Sequence, residues 1–140
     1  MAMKKITLLF TTIFAALLIS CATTTEIPEG KTAAQIIQMG QNAVTDGQYD
    51  TALCCYEEAL SRFGSNPSVF AETKYEIGHV YIKQNNYEKA YETFTELLSL
   101  YDYNSSVLPA SYKKLAEIGL SKIPEKKLEE LKSSTVKDSE

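Results

Sequence analysis

Apolar positions recur along the middle of the chain in two matching series. The first falls at residues 49, 52, 53, 56, 59, 60 and 63, and the second at 87, 90, 91, 94, 97, 98 and 101. Both series advance by 3, 1, 3, 3, 1 and 3. This is the 3.6-residue period of a helix with one dry face, and the alternation that a strand requires is absent. The two series are also copies of one another. Gly47-Gln48-Tyr49-Asp50-Thr51-Ala52 aligns with Asn85-Asn86-Tyr87-Glu88-Lys89-Ala90 at an offset of 38 residues. The same offset relates Gly40 to Gly78, Tyr56 to Phe94 and Leu60 to Leu98, and a third, weaker copy relates Ser68-Val69 to Ser106-Val107 and Gly78 to Ala116. A repeat of this length predicts stacked helix pairs, because one pair buries too little apolar surface alone.

The breaks between helices are chemically marked. Thr32 and Gln35 have the spacing of a capping box. Asp46-Gly47 and Asn85-Asn86 suit helix–helix turns, and Asn66-Pro67 reads as N-cap and first residue of the third helix. Ser105 or Ser106 is expected to cap the fifth helix, and Pro124 to open a last helix over about residues 124–133, before a polar tail, 134–140. Gly40 and Gly78 fall inside helices, where glycine costs about 1 kcal/mol relative to alanine. A packing role is therefore expected, with each glycine facing Ala52 or Ala90 and with Tyr56 and Phe94 filling the space toward the next helix.

Position by position, these residues resemble the tetratricopeptide repeat (TPR). Copy one supplies Ile36, Met39, Gly40, Gly47, Tyr49, Ala52, Tyr56, Ala59 and Leu60. Copy two supplies Ile77, Gly78, Tyr81, Tyr87, Ala90, Phe94, Leu97 and Leu98, and the third copy keeps Tyr112, Leu115 and Ala116. Leu128 and Lys132 then stand where the family has alanine and an aromatic residue, and Lys74 stands where copy one has Ile36. The resemblance covers residues 32–122 and implies an all-α fold: two full helix-turn-helix repeats and a degenerate third, stacked as a short right-handed superhelix within a domain spanning residues 32–133. The lengthened junction from Ser61 to Pro67 is similar to the linkers of repeat proteins from the bacterial periplasm, such as the lipoprotein subunit of the outer-membrane β-barrel assembly machine and the Tol–Pal-associated coordinator.

The first 20 residues have a different character. Lys4 and Lys5 precede an uncharged, mostly apolar run of 14 residues, Ile6 to Ile19, which ends at Ser20-Cys21. That is the layout of a secretory leader, and the run is shorter than the roughly 20 apolar residues that span a bilayer. Leu18-Ile19-Ser20-Cys21 resembles the lipobox of bacterial lipoproteins, which implies cleavage before Cys21 and lipid on its sulfur. The stretch from Cys21 to Lys31, polar and carrying Pro28 and Gly30, is expected to act as a flexible tether. Ala22 in place of Asp implies, by resemblance to sorting in enteric bacteria, the outer membrane, with the domain facing the periplasm.

Charge narrows the partners. The chain carries 14 Lys+Arg and 18 Asp+Glu, a net charge of −4, and loss of the leader removes two lysines, leaving −6. An acidic domain does not suit the phosphate backbone of a nucleic acid, and anionic lipid headgroups would repel it, so the lipid must do the holding. Catalytic chemistry is sparse. The chain has one histidine, His79, and three cysteines, and no cysteine pair has metal-binding C-x2-C spacing. Cys54 and Cys55 are adjacent on a helix and project about 100° apart. No metal, cofactor or enzymatic activity is expected; a thiol enzyme using Cys55 and His79 is the remote alternative.

The family resemblance implies a groove lined by the first helix of each pair. Its candidates are Ile37, Gln41, Val44 and Thr45 in copy one, Tyr75, His79, Ile82 and Lys83 in copy two, and Lys113 and Glu117 in copy three. Tyr75 is the expected anchor, and Lys83 and Lys113 are expected to meet a carboxylate of the partner. Repeat packing is expected to fall to Gly40, Tyr49, Ala52, Tyr56, Gly78, Tyr81, Tyr87, Ala90 and Phe94. The functional expectation is a non-catalytic, lipid-anchored scaffold or adaptor that binds an envelope protein or peptide segment. The alternative is a structural lipoprotein that self-associates into a homo-oligomer through its open repeat ends.

Overall fold

The computed structural model describes residues 26–104 and 107–137. The leader, Cys21 and the first part of the tether therefore lie outside the described residues, as do Ser105 and Ser106. Six helices follow in order: α1 (Ala33–Thr45), α2 (Tyr49–Phe63), α3 (Pro67–Lys83), α4 (Tyr87–Asn104), α5 (Ala110–Ser121) and α6 (Glu125–Lys137). Among the described residues there is no strand, and no helix is long and apolar enough to cross a membrane.

The expected start signals are in place. Thr32 Oγ1 accepts from the Gln35 amide at 3.3 Å, and the Gln35 side chain accepts from the Thr32 amide at 3.0 Å, closing the capping box. Asn66 Oδ1 accepts from the amides of Ser68 and Val69, and Pro67 occupies the first turn of α3. Both intra-repeat turns contain a left-handed residue at the same repeat position: Gly47 has φ +73° and Asn85 has φ +56°. Such backbone favours glycine, and asparagine tolerates it best among the other residues.

Two expected boundaries shift. Helix α5 begins at Ala110 with Pro109 at its N-cap and no side-chain cap, so neither Ser105 nor Ser106 caps it. The junction is held instead by the Tyr101 hydroxyl, which donates to the Pro109 carbonyl at 2.7 Å. Helix α6 continues to Lys137, four residues past the expected end, because its outer face is solvated and supported by Lys127–Glu130 and Lys132–Glu129 pairs.

Each helix from α1 to α4 packs against the next, α6 packs back on α4, and the first helices of successive pairs also touch, α1 on α3 and α3 on α5. One core forms among α1, α2 and α3 around Ile36, Ala52, Tyr56, Ala59 and Val80. A second forms among α3, α4 and α5 around Ala71, Ala90, Phe94, Leu97 and Ala116, and is closed by Ile123 and Leu128. Tyr81 packs against both. Tyr49 and Tyr87 pack at the edge of cores one and two respectively.

The mid-helix glycines meet aromatic rings first. A Cβ at Gly40 would collide with the Tyr56 ring, and one at Gly78 would come within 2.5 Å of Phe94 Cε1. Gly119 on α5 meets the Phe94 ring as well. A large buried aromatic side chain contributes about 1.5–3 kcal/mol through burial, and here it needs helix backbone bare enough to receive it.

Candidate functional site

The inner row of α1, α3 and α5 carries most of the expected groove residues, and α3 is its centre. Its residues 72, 75, 76, 79 and 83 follow the i, i+3, i+4 spacing that places them along one side of the helix. Tyr75 and His79 stack with their planes 5° apart and ring centroids 6.0 Å apart. Tyr75 also lies 6.2 Å from the rings of both Phe94 and Tyr112. The anchor expected from the sequence thus sits half-buried at a junction of α3, α4 and α5.

The α1 side departs from expectation at one residue. Ile37 is only 3 % exposed and belongs to the first core, so it does not line a groove. Gln41, one turn on, bridges to the next pair: its Nε2 donates to Glu76 Oε1 at 2.9 Å. Val44 packs at the edge of the first core. Thr45 is exposed and donates its hydroxyl to the Gln41 carbonyl. On the other side, Ile82 packs against the second core, whereas Lys83, Lys113 and Glu117 are exposed.

Glu72, Glu76 and Tyr112 were not among the expected groove residues. Both glutamates are half-buried on α3. Burial, reinforced by the neighbouring Glu76 charge, pushes the Glu72 carboxyl above its ordinary range. The Tyr75 hydroxyl is raised by burial and by Glu76, and Tyr112 by burial followed by Glu72 and Glu76. His79 moves the other way. Burial and then Lys122 lower it below 6.5, with Glu76 opposing and Lys83 adding to the fall. Its Nδ1 is 4.0 Å from Glu76 Oε2, too far for a hydrogen bond. A repeat alignment conceals the two glutamates, because their equivalents in copy one are Ala34 and Gln38 and in copy three Ala110 and Lys114. Their own spacing of four, on the side of α3 that carries Tyr75 and His79, is the signal that marks them.

Cys55 offers little reactivity. Cys55 is 1 % exposed, and burial followed by the neighbouring Cys54 pushes its thiol up. A nucleophilic cysteine needs the opposite shift. Among the described residues no group of histidine, cysteine and carboxylate side chains is arranged to hold a metal.

The N-terminal side carries one structural surprise. Residues 26–32 form no helix, but Ile27 packs against the first core. The Arg62 guanidinium donates to the carbonyls of Ile27 and Pro28, at 3.0 Å each, and to Glu58 at 2.6 Å. The expected tether is thus strapped to the end of α2 at residues 27 and 28.

Residues 71–104 match the tetratricopeptide repeat family. Together with the six packed helices, this match identifies the fold as an all-α, TPR-type helical repeat. The chain is also 32 % identical over 110 residues to an uncharacterized protein of Treponema pallidum (strain Nichols), a region that takes in 76 % of this chain. It spans 44 % of that relative's length. No solved structure matches the chain.

Proposed function

We propose that the chain is a non-catalytic scaffold or adaptor that holds a protein partner at the bacterial cell envelope through the inner row of its helix pairs. TPR repeats generally mediate protein–protein contact, and that supports the interaction role. The observation that carries the assignment to this face is the position of Tyr75. It is an aromatic side chain half-buried among His79, Phe94 and Tyr112, on a helix flanked by ionisable residues. Partly exposed aromatic anchors with a polar surround are the usual centres of binding energy. Lys83 and Lys113 are solvent-exposed on the same row.

The envelope setting rests on the leader pattern and on the lipobox-like Leu18-Ile19-Ser20-Cys21. In this reading Cys21 bears the lipid, and the domain faces the periplasm, on the outer membrane. The periplasmic repeat proteins it resembles are kin by repeat type. The Arg62 strap refines the geometry. Only the residues between Cys21 and Ile27 are left to stretch, roughly 20 Å at full extension, so the α1–α2 end of the domain would be held close to the bilayer.

Two experiments test the proposal. Labelling with a clickable palmitate analogue should mark the wild type and not Cys21→Ser, which should leave the membrane fraction. Cross-linked pull-down should capture a discrete envelope protein with wild type and lose it with a Tyr75→Ala, Lys83→Ala variant of equal helicity and abundance. Capture unchanged by the variant would reject this face as the working surface.

Self-association is the second reading, and one observation favours it. Pro67, Phe70, Leu100, Val107 and Leu108 line an apolar cavity of about 420 Å³ at the α2–α3 and α4–α5 junctions. Val107 is 58 % exposed, and Tyr103 on α4 is 84 % exposed. An apolar hollow with an exposed apolar rim residue, here Val107, is the kind of surface that contact sites use. Light scattering coupled to size exclusion separates the readings, since self-association predicts a defined oligomer that Val107→Glu dissolves.

A further inference from the structure

The hollow at the α2–α3 and α4–α5 junctions is open and apolar. Its volume of about 420 Å³ falls within the roughly 300–1,000 Å³ of small-molecule pockets. Pro67 and Phe70 of α3, Leu100 of α4 and Leu108 wall it, with Val107, 58 % exposed, at the rim. Gly64 and Ser65, at the end of α2, complete the lining, and among these residues Ser65 alone has a polar side chain. Such walls suit hydrocarbon, which asks for no hydrogen bond. A peptide segment laid there would leave backbone groups unmet.

A second observation brings the chain's own anchor to the same corner. Arg62, in the last turn of α2, donates to the carbonyls of Ile27 and Pro28 at 3.0 Å each. Gly64 follows Arg62 by two residues, so their Cα atoms are no more than about 8 Å apart. The strap and the hollow therefore share one end of α2. Cys21 stands six positions before Ile27, a reach of roughly 20 Å at full extension. Whatever Cys21 carries is thus delivered to this corner as part of the same molecule, at an effective concentration on the order of millimolar.

We propose that the hollow receives one acyl chain of the lipid carried by Cys21. This rests on the lipid-anchor reading above and gives that lipid a seat on its own domain. The seated chain covers Phe70, Leu100 and Val107, apolar surface otherwise left to water. A bilayer lipid offers the same hydrocarbon, but the acidic charge of the domain opposes approach to anionic headgroups, and no covalent link holds such a lipid at this corner. Two chains anchor a protein stably, so a further chain can seat in the hollow without detaching the protein. Seating turns the tether into an oriented mount, with this corner toward the bilayer, and so sets how the inner row meets its partner.

Cells producing the full-length chain and fed a fatty acid that bears a photoreactive diazirine and an alkyne load the lipid with a cross-linker. Irradiation of their membranes should join the lipid on Cys21 to Pro67, Phe70, Leu100 or Leu108 of the same chain, read by mass spectrometry of the bridged peptides. Val107→Glu, at an exposed position, should cut that bridge at least fivefold while the label on Cys21 is unchanged, and Leu100→Gln should do the same. Labelled Cys21 with no bridge to the hollow, or a bridge that both variants leave intact, would overturn the proposal and leave the anchor standing. So would a hollow joined only to free phospholipid, or to the lipid of a second copy, seen as a cross-linked dimer. Absence of label from wild type and Cys21→Ser alike would overturn the anchor and the seat together.

Discussion

The ring of Phe94 lies in space left open by Gly78, with Cε1 2.5 Å from where a Cβ at that glycine would sit. Gly119 meets the same ring from α5. The aromatic residue of one helix pair is therefore clasped by backbone of its own pair and of the next. Alanine at Gly78 gains about 1 kcal/mol of helix propensity but overfills a packed core, which costs about 1–3 kcal/mol, and the fully buried ring has no room to yield. Gly78→Ala should therefore destabilise the domain by up to about 2 kcal/mol in urea unfolding. Phe94→Leu should cost more alone but suppress the effect of Gly78→Ala, because the two act on one contact. Additive effects would show that the contact is not shared.

The left-handed turn residues make a paired prediction. Gly47 and Asn85 occupy the same repeat position, with φ of +73° and +56°. Asn85→Gly should be neutral or slightly stabilising, and Asn85→Val should cost about 1–2 kcal/mol. Thermal unfolding of the two variants measures the difference directly.

Arg62 is expected to act locally. It is half-buried, and its bonds to the Ile27 and Pro28 carbonyls hold a segment that adds little to either core. Arg62→Met should speed proteolytic cleavage within residues 26–32 several-fold and shift the global melting temperature only slightly.

The titrations on α3 have opposite signs. His79 is lowered in the fold by burial and Lys122, so below pH 6.5 the unfolded chain takes up a proton that the folded chain resists. Stability should fall as pH drops from 6.5 toward the depressed native value, and His79→Gln should remove that slope. Glu72 is raised by burial and Glu76, so the native state disfavours its charge once pH exceeds 4.5. Glu72→Gln should therefore raise the melting temperature at pH 7. A fall in melting temperature would mean that the carboxylate has a partner in the free chain.

The sequence carried the helices more clearly than the surface they present. The 3, 1, 3, 3, 1, 3 step, the Thr32 and Asn66 caps and the two turns are local signals, and the structure has them all. The glycine contacts were harder to read. Spacing shows that Gly40 and Gly78 need a reason, but how closely a ring nests on each depends on how far one helix slides along the next. Gly119 was missed because it stands 41 residues after Gly78, outside the 38-residue register. Ile37 and Tyr75 share a repeat position, yet Ile37 is packed into the first core while Tyr75 is half-buried among other rings, a difference the repeat pattern does not display. The glutamates escaped because what makes them notable is burial without a counter-charge, which no linear pattern displays.

The most direct test of the inner-row claim is a photo-cross-linking amino acid placed at position 79 and, as a control, at the exposed position 57 of α2, in the full-length protein in intact cells. The account predicts a discrete adduct with another protein from position 79, competed by Tyr75→Ala, and none from position 57. Adducts from position 57 alone, or only copies of the chain joined to one another, would contradict it.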